Sequence, residues 1–128
     1  MNPALLRTWL FGPGADAAAH RAMTACGADV LIQDLEDSTP AARRPEARAC
    51  AASLYREWRG AGAVLCARIN ALEADGRDDL VAVMDAGVQI VAYPKAVSAE
   101  QMSRDRHRAG RRCRRANRCC NGRNGIPW

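Results

Sequence analysis

The stretch Val30-Leu31-Ile32-Gln33-Asp34-Leu35-Glu36-Asp37 constrains the fold more than any other. Three apolar side chains run directly into a segment carrying three carboxylates, Asp34, Glu36 and Asp37. A short apolar run of this kind reads as a buried strand. Three carboxylates cannot be buried without large desolvation penalties, so the strand must leave the core near Asp34 and turn its acids toward a cleft. Acids gathered at the C-terminal ends of strands are characteristic of the rim of a parallel α/β fold.

The flanking sequence extends this reading. Leu5–Phe11 is predicted as a first strand, broken by Gly12-Pro13-Gly14. A helix is expected from about Asp16 to Cys26, with Ala19, Ala22, Met23 and Cys26 on one face and Gly27 as its stop. Val30–Asp34 forms the second strand. Thr39-Pro40 offers a helix start with Thr39 as N-cap, and Ala47, Ala51, Leu54, Tyr55 and Trp58 give that helix one apolar face as far as Arg59. Val64–Asn70 reads as strand three, Leu80, Val83 and Met84 mark a short helix closed by Gly87, and Val88–Tyr93 reads as strand four. Ser98-Ala99-Glu100-Gln101 has the form of a capping box opening a fourth helix. Strands alternating with helices predict an α/β fold with a parallel sheet.

Three successive strands end in charge: Asp34, Glu36 and Asp37, then Arg68, then Lys95. In parallel α/β folds such ends share one rim, which makes these five residues a candidate site. Plainer readings stand beside it. Acids favour a helix N-terminus, so the three carboxylates could simply cap the second helix. Arg68 could be a surface residue, and Lys95 could be solvated or paired with an acid. Gly14, in its Gly-Pro-Gly turn, could present a backbone N–H to a phosphate or substrate. His20 lies off the apolar helix face and is expected to be exposed. Cys26, Cys50 and Cys66 are expected to be small buried hydrophobes.

Charge divides the chain. Its net +5 combines nine Arg and one Asp from Arg104 onward with ten basic and thirteen acidic residues before that point. The body, residues 1–103, is thus mildly acidic, whereas the segment 104–128 is basic and lacks apolar periodicity. The abrupt change, in a chain of GC-rich usage, reads as out-of-frame translation or a disordered tail. Two other readings of the tail are phosphate neutralisation on nucleic acid and zinc binding. The first has only Trp128 to stack on a base. The second, by His107, Cys113, Cys119 and Cys120, lacks paired ligand spacing. No apolar run approaches the ~18 residues that cross a bilayer. The N-terminus is too short and broken for a secretory signal, so a cytoplasmic protein without a disulfide framework is expected.

Four of these segments also resemble a known family. Leu5-Leu6-Arg7-Thr8-Trp9-Leu10-Phe11-Gly12-Pro13-Gly14 is similar to the opening strand and LFVPG turn of citrate lyase β-subunit-like proteins in the HpcH/HpaI aldolase/citrate lyase family. Gly27-Ala28-Asp29-Val30 with Asp34-Leu35-Glu36-Asp37 resembles its GAD…LDLEDAV segment, Ala67-Arg68-Ile69-Asn70 its VRIN strand, and Pro94-Lys95 with Ser98-Ala99-Glu100 its LPKVESAE segment. Gly12, Gln33 and Val97 depart from the residues common at those places.

The resemblance implies the first four β/α units of a (β/α)8 TIM barrel, truncated. It also implies a Mg2+-dependent carbon–carbon lyase or aldolase that cleaves or forms acyl-CoA esters of hydroxy acids, or acts on related keto acids. Arg68 then binds a substrate carboxylate, with Lys95 and Gly14 as further substrate-binding candidates. Asp34, Glu36 and Asp37 are the catalytic candidates, placed to position the metal's water shell, Arg68 or a proton transfer. The direct metal ligands are expected beyond these residues. A chain confined to this part is expected to be inactive and poorly soluble, and full-length relatives are expected to be homo-oligomers.

Overall fold

The computed structural model describes residues 5–104 and 107. Apart from Arg104 and His107, the basic tail and the readings attached to it lie outside the described residues.

Four strands, β1 (Trp9–Pro13), β2 (Val30–Asp34), β3 (Val64–Arg68) and β4 (Ile90–Ala92), alternate with helices α1 (Ala17–Ala25), α2 (Arg44–Gly60) and α3 (Gly76–Asp85). Residues 99–104 are again helical, and the Ser98 hydroxyl accepts the Gln101 N–H at 3.1 Å, as the capping pattern predicts. The sheet order is β1-β2-β3-β4 and every pairing is parallel.

Alternation along each strand sorts the side chains onto two faces. Leu31, Leu35, Leu65, Ala67 and Val91 pack against Met23 of α1, Ala47, Ala51, Leu54, Tyr55 and Trp58 of α2, and Leu80 and Val83 of α3. The predicted apolar face of α2 is therefore the one buried. Val30, Ile32 and Cys66 form a separate cluster on the opposite face with Leu6, Val64, Ile90 and Ala92, and no residue of α1 to α3 joins it. Helices on one face only are the mark of successive units of a β/α barrel; a doubly wound sheet carries them on both.

Several boundaries differ from expectation for identifiable reasons. β1 starts at Trp9 because Asp29 takes the Arg7 and Thr8 N–H groups, both at 2.9 Å, ahead of the ladder. It runs through Gly12 and Pro13 because, among the described residues, it pairs with β2 alone, and an edge strand tolerates proline. Thr39 does not cap a helix: its hydroxyl accepts the Gly14 N–H and donates to the Asp34 carbonyl. The chain enters α2 instead through a 3-10 turn, Ala41–Arg43, with Pro45 in the first turn of the α-helix.

His20 is buried, not exposed. Its Nε2–H donates to the Pro13 carbonyl at 2.6 Å, and its ring stands edge-on to Trp58. Cys26 is exposed because it caps α1 rather than lying on its apolar face, whereas Cys66 is fully buried.

Candidate active site

The site begins with the register of β2 and β3. Asp34 and Arg68 are paired positions in adjacent strands, so both project from the sheet face that α1 to α3 leave open. Adjacent, same-face residues meet without distortion, and here they form a two-pronged ion pair. Arg68 Nε donates to Asp34 Oδ1 at 2.8 Å and Nη2 to Oδ2 at 2.7 Å. The Asp34 carboxylate is fully buried and also accepts the N–H groups of Glu36 and Ser38 and the Ser38 hydroxyl. Burial alone would raise its pKa. Arg68, the Ser38 hydroxyl and the two N–H groups outweigh that penalty and hold the carboxyl at about 2. The Arg68 pKa is raised, chiefly by its hydrogen bond to Asp34.

The third nitrogen of the guanidinium points the other way. Nη1 lies 3.3 Å from Glu36 and 3.2 Å from Asp37. Lys95 Nζ completes the cluster, 3.1 Å from Glu36 and 3.7 Å from Asp37. Glu36 is the first cause of the raised Lys95 pKa. The Lys95 backbone has φ of 47°, an uncommon conformation for a side-chain-bearing residue just past β4. The Phe11 ring lies 5.1 Å from the guanidinium carbon, a cation–π contact from β1. Residues from β1 and the end of β2 therefore meet at the Arg68 guanidinium, and Lys95 beyond β4 joins through Glu36 and Asp37.

Five of the six residues singled out from sequence converge: Asp34, Glu36, Asp37, Arg68 and Lys95. Gly14 does not join them. Its N–H is buried and donates to the Thr39 hydroxyl at 2.7 Å, so it has none left for a phosphate. Gly14 instead permits close packing, since a Cβ there would lie 2.7 Å from Thr39 Oγ1 and 3.0 Å from the Asp34 carbonyl oxygen. Gln33 is also explained. On the helix side of β2, its Nε2 donates to the Gly14 and Ala47 carbonyls and its Oε1 accepts the Tyr55 hydroxyl. At Gly12 a Cβ would run into the Met23 thioether, which fills that space.

Sequence reasoning missed a supporting layer: Phe11, Ser38, Thr39, Asn70 and Asp79. Ser38 and Thr39 follow the acids in an Asp-Ser-Thr string that offers hydroxyls to a turn, a readable signal. Asn70 belongs to a quoted motif but had no role there. Asp79 carried no signal of its own.

The family model for HpcH/HpaI aldolase/citrate lyase matches residues 7–122. The citrate lyase subunit beta of Leuconostoc mesenteroides subsp. cremoris is 30% identical over 102 residues, covering 79% of this chain and 34% of that protein. The same subunit of Escherichia coli K12 is 36% identical, over 75% of this chain and 32% of the relative. The chain thus spans about a third of the curated relatives it matches. Among solved structures, the CitE protein of Mycobacterium tuberculosis in complex with magnesium and acetoacetate superposes with a TM-score of 0.64 at 33% identity, over 81% of this chain and 42% of that one. A complex of CitE with magnesium, acetoacetate and coenzyme A gives a TM-score of 0.57 at 35% identity, over 73% of this chain and 33% of that one. With four parallel strands in sequence order and a family match across residues 7–122, the chain belongs to the HpcH/HpaI aldolase/citrate lyase family.

Proposed function

We propose that this chain supplies the carboxylate-binding side of a carbon–carbon lyase site. The enzyme would cleave or form acyl-CoA esters of hydroxy acids, or act on related keto acids such as the acetoacetate bound by the Mycobacterium protein. One observation carries the reading. Asp34 grips Arg68 through two nitrogens, while Nη1 is held only by longer contacts to Glu36 and the exposed Asp37. A guanidinium held in this way keeps a donor edge for a second carboxylate at little further entropic cost.

The chain's own residues then divide the work. Asp34 is ionised at neutral pH and both its oxygens are engaged, so it orients Arg68 and takes no part in proton transfer. Phe11 shields one face of the guanidinium from water and strengthens its electrostatics. Glu36 and Asp37, held beside Arg68 and Lys95, are the groups left to orient a substrate or move a proton. A substrate carboxylate arriving at Nη1 would displace their contacts at 3.2–3.3 Å, which are longer than those of Asp34.

The resemblance also implies Mg2+, which would stabilise an enolate in such chemistry. The residues described here do not fit direct ligation. Asp34 accepts five hydrogen bonds, and Glu36 and Asp37 face two cations. Among the described residues no group of three His, Cys, Asp or Glu could hold a metal ion. A magnesium ion at this mouth would need ligands from outside them, and no step is assigned through it.

A chimera tests the proposal. Residues 5–104 would replace the matching third of the Escherichia coli subunit, and cleavage of its CoA ester would be assayed. We expect activity in the chimera and a loss of at least about a hundredfold on Arg68→Lys, equivalent to about 3 kcal/mol. A folded chimera that is inert, or one indifferent to Arg68→Lys, would overturn the reading.

A further inference from the structure

Behind the strand ends lies a second polar cluster that sequence reasoning did not assign. Asp79, in the first turn of α3, is fully buried. Its Oδ2 accepts the Asn70 backbone N–H at 3.0 Å and the Asn70 side-chain amide at 2.7 Å. Its Oδ1 accepts Arg48 Nη1 of α2 at 2.9 Å. Asn70 in turn donates Nδ2–H to the Leu35 carbonyl at 2.7 Å. The Leu35 N–H donates to the Arg68 carbonyl at 2.9 Å. Both backbone groups of the residue between Asp34 and Glu36 are therefore tied to the segment that carries Arg68.

The approach of α3 is built for this contact. A Cβ at Gly76 would lie 2.0 Å from the Asn70 carbonyl oxygen and 2.6 Å from that of Ala71, so only glycine lets the helix start so close to the end of β3. A buried carboxylate requires full pairing, and this one spends its acceptors on Asn70 and Arg48. A hydrophobic residue in the same place would leave the Asn70 backbone N–H and side-chain amide without this acceptor.

We propose that Asp79 is a positioning residue for the strand-end site. It fixes the Asn70 amide, which holds the Leu35 carbonyl and so sets Glu36 and Asp37 at their distance from Arg68. Asp79 touches none of the charged groups at the mouth and acts on them only through Asn70 and Leu35. The inference rests on the reading of that mouth as a carboxylate site, but its test does not require a ligand.

Hydrogen exchange read by mass spectrometry on the full 128-residue chain at micromolar concentration separates this role from simple stabilisation. Asp79→Asn should speed exchange at least tenfold in peptides covering residues 34–38 and 68–71. Peptides from α1 and β1, which the network does not reach, should change less than twofold. Uniform acceleration throughout the chain, or no change at residues 34–38, would overturn the proposal. Asn70→Ala keeps the Asp79–Arg48 pair and the backbone N–H contact to Asp79, and removes the side-chain amide that joins Asp79 to the Leu35 carbonyl. It should reproduce acceleration at residues 34–38 even where Asp79→Asn proves too unstable to study, and an unchanged Asn70→Ala would equally refute the idea. Acetoacetate binding by the wild-type chain is scored separately, so failure of the functional reading and failure of the positioning role are told apart.

Discussion

Replacing Asp34 with Asn tests the clamp on Arg68 through its pH dependence. The Asp34 carboxyl is fully buried, and its neighbours hold its pKa at about 2 against an ordinary 3.8. At ~1.4 kcal/mol per pKa unit, that depression corresponds to about 2 kcal/mol of stability. Because the folded-state pKa is the lower one, this contribution is complete above the unfolded value. It is lost as pH falls from about 4 toward about 2. Asn cannot ionise, so the variant lacks the contribution at every pH. Arg68 is partly solvated and keeps Glu36 and Asp37, so the deficit at pH 7 should lie near 2–3 kcal/mol, at the low end for a broken buried pair. Urea unfolding followed by tryptophan fluorescence at micromolar protein gives both curves. The carboxyls of Asp16, Asp29 and Glu46 are also lowered, by helix N–H groups, Thr8 and Arg43 respectively, but they titrate in both proteins and cancel in the difference. The gap between wild type and Asp34→Asn should shrink by about 2 kcal/mol between pH 5 and pH 2. Parallel curves across that range would refute the electrostatic account of the clamp.

Other consequences are as direct. Gly76→Ala should destabilise by at least about 2 kcal/mol in urea unfolding, because the obstructing atoms are backbone carbonyls that cannot rotate away; a neutral substitution would show that α3 does not sit so close to β3. Trp9 and Phe11, 48% and 50% exposed beside the helix-free cluster, should drive association, so Trp9→Ser with Phe11→Ser should lower light scattering at high protein concentration. A monodisperse wild-type chain would contradict that. Burial lifts the Cys66 thiol to about 12, so native alkylation at pH 8 should label exposed Cys26 and spare Cys66, and early labelling of Cys66 would mean the sheet opens. The chain alone should show no CoA-ester lyase activity, and measurable turnover by the isolated chain would require a complete site within it.

The sequence made legible those parts of the fold that local pattern controls. β2 is Val30–Asp34 as expected, but the chain does not leave the core there: Asp34 and Leu35 are fully buried, and Arg68, Ser38 and two backbone N–H groups satisfy the Asp34 carboxylate inside. The buried face of α2 was equally clear, since Ala47, Ala51, Leu54, Tyr55 and Trp58 recur at helical spacing. The convergence of Asp34, Arg68 and Lys95 followed from the rule that parallel strands end on one rim, and the register of β2 with β3 made the first two immediate neighbours. What escaped was decided by partners far away in the chain. Thr39 looks like a helix cap locally, but the Gly14 N–H and the Asp34 carbonyl compete for its hydroxyl and win. His20 falls off the helical stripe, yet the end of β1 passes close enough to offer it the Pro13 carbonyl. Asp79 reads as one more acid in the first turn of a helix, and only the approach of α3 at Gly76 turns it toward Asn70.

The central claim is that Arg68, held by Asp34, offers its remaining edge to a substrate carboxylate. Calorimetric titration of acetoacetate into the wild-type chain and into Arg68→Lys tests it most directly. The wild type should bind measurably, and Arg68→Lys should weaken binding at least about tenfold. Equal binding by the two proteins, or no binding by a folded wild-type chain, would contradict it.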